Sequence, residues 1–364
     1  MRREASYGGG TGTLVAPAVN GESRVSILTS LSESVRPGSA PLEWQTELRQ
    51  AVRSAKELCR RLALPAELAA AAAGGTEAFS VFVPPSYLAR IGRGDPQDPL
   101  LRQVLPLAAE MAAVDGFSRD PVADAAATLQ PGVLQKYAGR ALLITTGVCA
   151  VHCRYCFRRH FPYGEAPHSD AAWDRALASI AGDDTIHEVI LSGGDPLTMV
   201  DGRLASLVEK IAAISHVSRL RVHTRLPIMI PSRVTDELID WLTGRLTPIV
   251  VIHANHPQEL DNAVATAMAR LHQAGVMLLN QAVLLRGVND SVDAQAALSQ
   301  RLIEIGVTPY YLHQLDRVDG AAHFEVPLEE GREIVKELRR RMPGYAVPRY
   351  VQEIPGEMSK VVLV

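Results

Sequence analysis

The 364-residue sequence has few cysteines, few aromatic residues, no excess of positive charge and no long hydrophobic run. Four cysteines in so long a chain cannot form the framework of a small disulfide-rich secreted protein. Lys and Arg number 37 against 40 Asp and Glu, so the composition predicts no binding to nucleic acid or a membrane surface. Aromatic residues make up only 5%, which disfavours a base-stacking surface. Without about 18 consecutive apolar residues, no transmembrane helix is expected.

The first forty residues have a basic start but no apolar core of the kind found in secretory signals. They are rich in Gly, Ser and Thr, so we predict a disordered tail over residues 1–40. A cytoplasmic location follows by default, and its reducing conditions suit free thiolates that hold metal.

Residues 41–130 are predicted to form a helical N-terminal subdomain. A helix is expected from Pro41, with apolar residues at three- and four-residue steps along one face. Cys59 lies on that face and is interpreted as a buried core residue rather than a metal ligand. Further helical segments are expected over Ala66–Ala73, from Ser86 and from Leu100.

After Pro131, apolar strand-like segments alternate with amphipathic stretches of helical period. The six predicted strands are Ala141–Thr145, Glu188–Leu191, Leu220–His223, Ile249–His253, Val276–Leu285 and Thr308–His313. This alternation predicts an α/β fold with parallel strands. Because there is no dinucleotide-binding glycine motif, we favour an incomplete (βα)6 barrel over residues 131–364, with the active site at the carboxyl ends of its strands.

Three cysteines lie within eight residues, directly after the first predicted strand. Their spacing is Cys149-x-x-x-Cys153-x-x-Cys156, with Tyr155 before the last. Three thiolates can each ligate one iron of a [4Fe–4S] cluster and leave the fourth iron open to a small molecule. Two alternatives are an accidental group of thiols and a zinc site completed by His152 or His160, although zinc sites usually have ligands in paired spacings.

This cysteine motif resembles that of the radical S-adenosylmethionine (SAM) superfamily, whose typical fold is a partial or full (βα) barrel. The segments CRYCFRRHFPYGE, LSGGDPL, LRVHTRLPIMIP, PYYLHQLDRVDGAAHF and GYAVPRYVQEIPGEMSK resemble the lysine 2,3-aminomutase family, most closely its EpmB branch, which modifies elongation factor P (EF-P). The similarity runs from about Leu58 to the end. Longer family members carry a cysteine-bearing C-terminal extension, whose absence here predicts a monomer or simple dimer.

The resemblance implies three cofactors: a [4Fe–4S] cluster, SAM and pyridoxal 5′-phosphate (PLP). It implies an isomerase in which a SAM-derived radical removes a β-hydrogen from lysine bound to PLP, and the amino group moves from the α to the β carbon. An external electron donor is then required. In the EpmB branch, a ligase attaches the β-lysine to EF-P.

The resemblance also implies site residues, matched position by position. The SAM-binding residues are Tyr155, Ser192, Gly193, Gly194 and Asp195. Lys360 matches the lysine that binds PLP covalently, while Tyr137 and Arg140, with Lys136 as a weaker counterpart, match residues that bind its phosphate. From the residues alone, a plain turn at Ser192–Asp195 is as acceptable as a ligand-binding turn. From the residues alone, a solvated Lys360 is a better interpretation than a lysine that binds PLP.

Substrate recognition follows from charge. Arg158 matches the family arginine that pairs with the carboxylate of the substrate L-lysine. Asp316 and Glu353 match the acidic positions that hold its ε-ammonium. Two other functions stay open: an aminomutase acting on another amino acid such as arginine, and a non-catalytic zinc-binding or scaffold protein. Glutamate is disfavoured as a substrate because the two acids would repel it.

Overall fold

The fold is a single open sheet with helices packed against one face. The computed structural model describes residues 42–72, 75–76, 79–167 and 169–364; the predicted 1–40 tail lies outside them. Its strands, in chain order, are β1 (Thr128–Gln130), β2 (Val133–Leu134), β3 (Arg140–Thr146), β4 (Glu188–Gly193), β5 (Arg219–Thr224), β6 (Thr247–Ile252), β7 (Met277–Val283), β8 (Thr308–His313), β9 (Arg349–Gln352) and β10 (Val361–Val362). Residues Pro41–Val364 form one compact unit.

Neighbouring strands of the sheet are consecutive in the chain, from β1 to β10. The pairs from β3 to β9 are parallel, while β1–β2, β2–β3 and β9–β10 are antiparallel. Within the described part of the chain, no backbone pairing joins β1 to β10, so the barrel stays open. Strands β3–β8 are the six predicted from the sequence, and the incomplete α/β barrel is therefore confirmed.

Five helices precede the sheet: α1 (Glu43–Gln50), α2 (Ala55–Arg61), α3 (Ala66–Ala71), α4 (Pro85–Leu88) and α5 (Pro99–Arg102). The helices that connect the parallel strands are α6 (Asp170–Ala181), α7 (Asp201–Ala212), α8 (Leu226–Met229), α9 (Asp236–Leu242), α10 (Asn262–Gln273), α11 (Val292–Glu304) and α12 (Leu328–Arg341). Several begin at a side-chain cap, such as Ser169 before α6 and Ser291 before α11. None of the described helices is both long and apolar enough to cross a bilayer.

The N-terminal part is built from short helices rather than the long one that the apolar pattern predicts. The stripe is interrupted between α1 and α2, where Val52 forms an antiparallel bridge with Val83. Ser54 then starts α2 by accepting a hydrogen bond from the backbone of Glu57. Cys59 is buried in α2, which confirms its interpretation as core. The boundary at residue 130 between a helical subdomain and the barrel stays a prediction.

The two faces of the sheet differ in character. In β5, Val222 is fully buried and lines a narrow apolar space with Val250 of β6 and Leu238 of α9. Successive side chains point to opposite faces of a strand, so His223, next to Val222, faces the interior of the barrel. Apolar packing against the helices therefore stabilises the fold, and the interior is left for polar groups.

Candidate active site

The three cysteines lie on the loop that follows β3, the first parallel strand. All three are free and half-buried. Burial raises the pKa of Cys156 to about 11, and Cys153 beside it contributes to the shift. Burial also raises the pKa of Cys149 well above its usual value, helped by the nearby Cys156. Three thiols that influence one another at the carboxyl end of a strand suit an iron–sulfur cluster, whose metal charge favours their thiolate forms.

Neither histidine proposed for the zinc alternative joins the thiols. The His152 ring lies against the Phe79 ring at 5.0 Å, with Nδ1 2.9 Å from the Ser80 carbonyl oxygen. His160 Nε2 is 3.3 Å from the Asp319 carbonyl oxygen. Among the described residues, no three His, Cys, Asp or Glu side chains are grouped around a single-metal position. The geometry therefore favours three ligands on separate irons over four on one zinc.

The turn after β4 packs directly on the cysteine loop. Gly193 has φ +124°, and a Cβ there would lie 2.5 Å from the Thr146 carbonyl oxygen. A Cβ at Gly194 would lie 2.4 Å from the Val148 carbonyl oxygen. Both glycines are needed because another group lies close to the backbone here, as the sequence indicates. On this side of the turn, that group is the backbone leading into the cysteine loop and not a ligand.

Two predicted SAM-binding side chains are directed into the protein. Asp195 accepts hydrogen bonds from Thr224 Oγ1 at 2.7 Å and from the backbone amides of Arg225, Leu226 and Leu197. The Tyr155 ring packs in an apolar cluster with Phe324, and Asn255 Nδ2 donates to its hydroxyl at 2.7 Å. In this structure both side chains connect loops around the cysteines, and their contact with SAM stays a prediction.

Five charged side chains of alternating sign form a connected chain across the site. Arg158 Nε donates to Asp124 Oδ2 at 2.7 Å, and Lys136 Nζ lies 2.8 Å from Asp124 Oδ1. Lys136 Nζ is also 3.6 Å from Glu353 Oε1, and Lys360 Nζ donates to Glu353 Oε2. The structure thus brings the predicted substrate and PLP residues together, with Asp124 as a link that sequence reasoning missed.

The pKa values of the three acids reflect this arrangement. Burial opposes ionisation of Glu353, but Lys360, Tyr137 and Lys136 outweigh it and lower the pKa. Arg158 and Lys136 lower the pKa of the buried Asp124 in the same way. At Asp316, burial dominates over the attraction of Lys360 and raises the pKa to about 7. Asp316 therefore titrates near neutral pH while the other two stay ionised.

The residues predicted to bind the PLP phosphate lie beside this chain. Tyr137 hydrogen-bonds to Glu353, and the Arg140 guanidinium stacks over the Tyr137 ring at 4.8 Å. Arg140 Nε is buried and has no hydrogen-bond partner. A buried guanidinium N–H group without a partner suits an anionic ligand such as a phosphate. The donor set therefore fits PLP.

Four polar side chains, from β5, β7, β8 and the residue directly after β6, face the barrel interior, and Lys360 influences two of them. His223 and His313 each have a buried Nε2 without a partner, and the His253 Nε2 is 2.6 Å from Gln281 Nε2. Burial lowers the pKa of all three histidines, that of His253 to about 3, so they are neutral at physiological pH. The alternation of polar residues in the β5 segment RVHT is the sequence signal that indicates this polar interior.

Comparisons with known proteins agree with the site. A family model described as a 4Fe-4S single cluster domain matches residues 138–221, which include the cysteine loop. The L-lysine 2,3-aminomutase of Escherichia coli (strain K12) is 46% identical over 88% of this chain and 94% of that protein. The enzyme of the same name from Clostridium subterminale is 34% identical over 87% of this chain and 77% of that protein.

A third relative, from Haemophilus influenzae, also bears the name L-lysine 2,3-aminomutase and is 45% identical over 87% of this chain and 94% of that protein. Each of the three alignments covers 87–88% of this chain. The chain therefore belongs to the radical SAM lysine 2,3-aminomutase family.

Proposed function

We propose that this protein is a PLP-dependent L-lysine 2,3-aminomutase that converts α-lysine to β-lysine. The observation that carries the proposal is the Lys360–Glu353 ion pair beside Asp316, connected through Lys136 and Asp124 to Arg158. It supplies a covalent PLP-binding lysine, two acids for an ε-ammonium and an arginine for a carboxylate in one site. When bound, the cluster and SAM supply the hydrogen-abstracting radical, and PLP carries the migrating amino group.

Cys149, Cys153 and Cys156 would hold three irons of the cluster, and the Ser192–Asp195 turn beside them would bind SAM. Arg158 presents guanidinium N–H groups to the substrate carboxylate. Its Nη1 is already oriented by Ser192 Oγ at 3.3 Å, and its Nε by Asp124. Because a bidentate guanidinium–carboxylate pair is directional, this fixes the end of lysine nearest to the reacting carbons.

Lys360 Nζ donates to Glu353 Oε2 in the cofactor-free site. This nitrogen would hold PLP covalently. Glu353, released by Lys360, would accept the substrate ε-ammonium, with Asp316 as the second acid. Tyr137 and the Arg140 Nε, which has no partner, would bind the PLP phosphate. The half-buried interior excludes bulk water from the reacting groups.

The assay is incubation of the reconstituted protein with SAM, PLP, dithionite and labelled L-lysine, with mass detection of β-lysine. Formation of β-lysine is expected, and Lys360→Ala is expected to abolish it without loss of iron. Lys336→Ala, which breaks a surface pair with Glu333, is the matched control and keeps full activity. Absence of turnover with lysine but turnover with arginine would instead establish the alternative substrate.

We further propose that the β-lysine is passed to the ligase that modifies EF-P, in the cytoplasm. The support is the resemblance of the motifs to the EpmB branch, and the free thiols, which suit a reducing compartment. Incubation of EF-P and its ligase with the product of this enzyme is expected to yield β-lysylated EF-P. Equal modification with α-lysine alone at the same concentration would remove the need for this enzyme.

A further inference from the structure

Arg225 lies at the carboxyl end of β5 and reaches across to the cysteine loop. Its Nη1 is 2.7 Å from Cys153 Sγ, and the guanidinium is buried. This arginine forms no part of the charged chain from Arg158 to Lys360. Among the described residues, it is the one whose side chain hydrogen-bonds to a sulfur of the three cysteines.

The guanidinium is held in place from its other side. Arg225 Nη2 donates to Gln103 Oε1 at 2.6 Å and to Glu259 Oε2 at 3.0 Å. The rings of Tyr155 and Tyr87 lie 5.6 and 5.7 Å from its central carbon. The side chain is therefore positioned by both charge and packing.

Its partners are themselves fixed in orientation. Gln103 Nε2 donates to Glu259 Oε1 at 2.9 Å, so its oxygen is turned towards Arg225. Asn255 Nδ2 donates to that same oxygen at 3.0 Å. Glu259 is fully buried, and a buried carboxylate of this kind keeps its arginine partner charged. Arg225 thus presents a permanent positive charge and an N–H group to Cys153.

We propose that Arg225 is a positioning residue that raises the reduction potential of the [4Fe–4S] cluster through Cys153. Reduction adds one electron from an external one-electron donor to the cluster and leaves one more negative charge on it. A cationic hydrogen-bond donor at a ligating sulfur stabilises that charge, and such contacts are among the determinants of cluster potentials. The inference rests on the proposed assignment of Cys153 as a cluster ligand.

The experiment is a redox titration of the reconstituted protein, without SAM or lysine, followed by electron paramagnetic resonance of the reduced cluster. Arg225→Gln removes the charge and the fork of N–H groups, while Arg225→Lys keeps the charge on a compact ammonium that cannot contact all three partners. Arg233→Lys is the matched control. Arg233 is also fully buried, pairs with Asp201 at 2.7 Å and contacts none of the three cysteines.

At a fixed potential, we expect the reduced-to-oxidised ratio to fall about tenfold in Arg225→Gln, which is a shift of about 59 mV to more negative values for one electron. The reduction potential of Arg225→Lys is expected to shift in the same direction by a smaller amount, and that of Arg233→Lys is expected to stay at the wild-type value. An unchanged potential in Arg225→Gln with four irons per chain overturns the inference. If that variant does not hold four irons, an unchanged potential in Arg225→Lys overturns it.

The titration separates this inference from the proposed function. A wild-type protein that assembles no cluster with iron and sulfide contradicts the proposed function before any variant is measured. The other outcome is a wild-type protein that holds the cluster and forms β-lysine, while the Arg225 variants have the same reduction potential as the wild type. That outcome contradicts only the role of Arg225.

Discussion

Glu353 is contacted by two cations and a tyrosine hydroxyl of the site. It pairs with Lys360 and Lys136 and accepts a hydrogen bond from Tyr137. When Lys360 moves away, Tyr137 and Lys136 still favour the ionised form of Glu353. Exchange of Lys360 for a substrate ammonium therefore need not leave an uncompensated buried charge, which is the usual cost of breaking such a pair.

We expect Asp316 to make lysine binding depend on pH. Its pKa is raised to about 7 by burial, so the carboxyl is protonated below that pH and ionised above it. Because only the ionised form attracts an ammonium, lysine affinity is expected to rise as pH increases from 6 to 8. Calorimetric titration of the PLP-loaded protein with lysine at each pH measures this affinity. Asp316→Asn should flatten the profile, and an equally steep profile in that variant would assign the dependence to another group.

Asp124 is expected to be important for stability as well as for orientation. It is buried between Arg158 and Lys136, so Asp124→Asn leaves two neighbouring cations without their shared anion. Loss of one partner of a buried pair costs about 3–5 kcal/mol. The free energy of unfolding from urea titration measures the effect. Glu333→Gln, which breaks an exposed pair with Lys336, should cost at most about 1 kcal/mol; equal losses would contradict the argument.

The residues that sequence reasoning found and missed differ in one physical respect. The cysteines are identified by spacing within one loop, and Lys360 by resemblance of a whole segment. Asp124 and Arg225 act through partners 34 and 72 residues away in the chain. Such contacts exist only when the loops at the strand ends are brought together, so no local pattern predicts them.

At the scale of elements, the β4 turn packs closely against the cysteine loop. Gly193→Ala puts a Cβ against the Thr146 carbonyl oxygen and forces a side chain into a left-handed conformation. Strain of this kind alone costs about 1–3 kcal/mol. We expect a lower melting temperature and incomplete iron loading of the reconstituted protein.

The matched control for this change is Gly202→Ala. Gly202 lies in the first turn of α7, has no atom within 4 Å of an added Cβ and does not need a positive φ. The Gly202→Ala protein should keep its iron and gain stability, because alanine favours a helical backbone more than glycine does. A Gly193→Ala protein with normal iron content would show that the loop does not depend on this close approach.

The sequence predicts long elements better than short ones. Strands β3–β8 are predicted within a few residues of their bounds, because each carries a full apolar pattern. Strands β1, β2, β9 and β10 have at most four residues and gain their identity from pairing with the sheet. The break between α1 and α2 is missed because its apolar spacing continues through the bridge at Val52.

At the scale of the whole molecule, side chains rather than backbone pairing connect the two ends of the open sheet. Lys136 and Tyr137, between β2 and β3, contact Glu353, directly after β9. Lys360, just before β10, adds to the same cluster. The edge that carries the proposed PLP lysine therefore depends on charged contacts for its attachment to the first strands.

Hydrogen–deuterium exchange can measure that attachment. Glu353→Gln is expected to speed amide exchange in β1–β2 and in β9–β10, while β4–β7 keep their protection. The reason is that this carboxylate links the two ends of the sheet and has no hydrogen bond or ion pair with a described residue of the strands between them. The control is Glu188→Gln, which breaks a pair with Arg221 inside the continuous sheet. Faster exchange throughout the barrel in Glu353→Gln would mean that the acid stabilises the fold globally.

The polar barrel interior has a consequence for how such enzymes diversify. Since Val222, Val250 and similar residues on the outer face provide the apolar packing, positions such as His223, His313 and Gln281 can change with a smaller penalty in stability. Natural or laboratory selection for a new amino acid substrate can therefore sample the interior while the folding threshold is maintained by the outer face. The residues that can change and the residues that maintain stability therefore lie on opposite faces of the same strands.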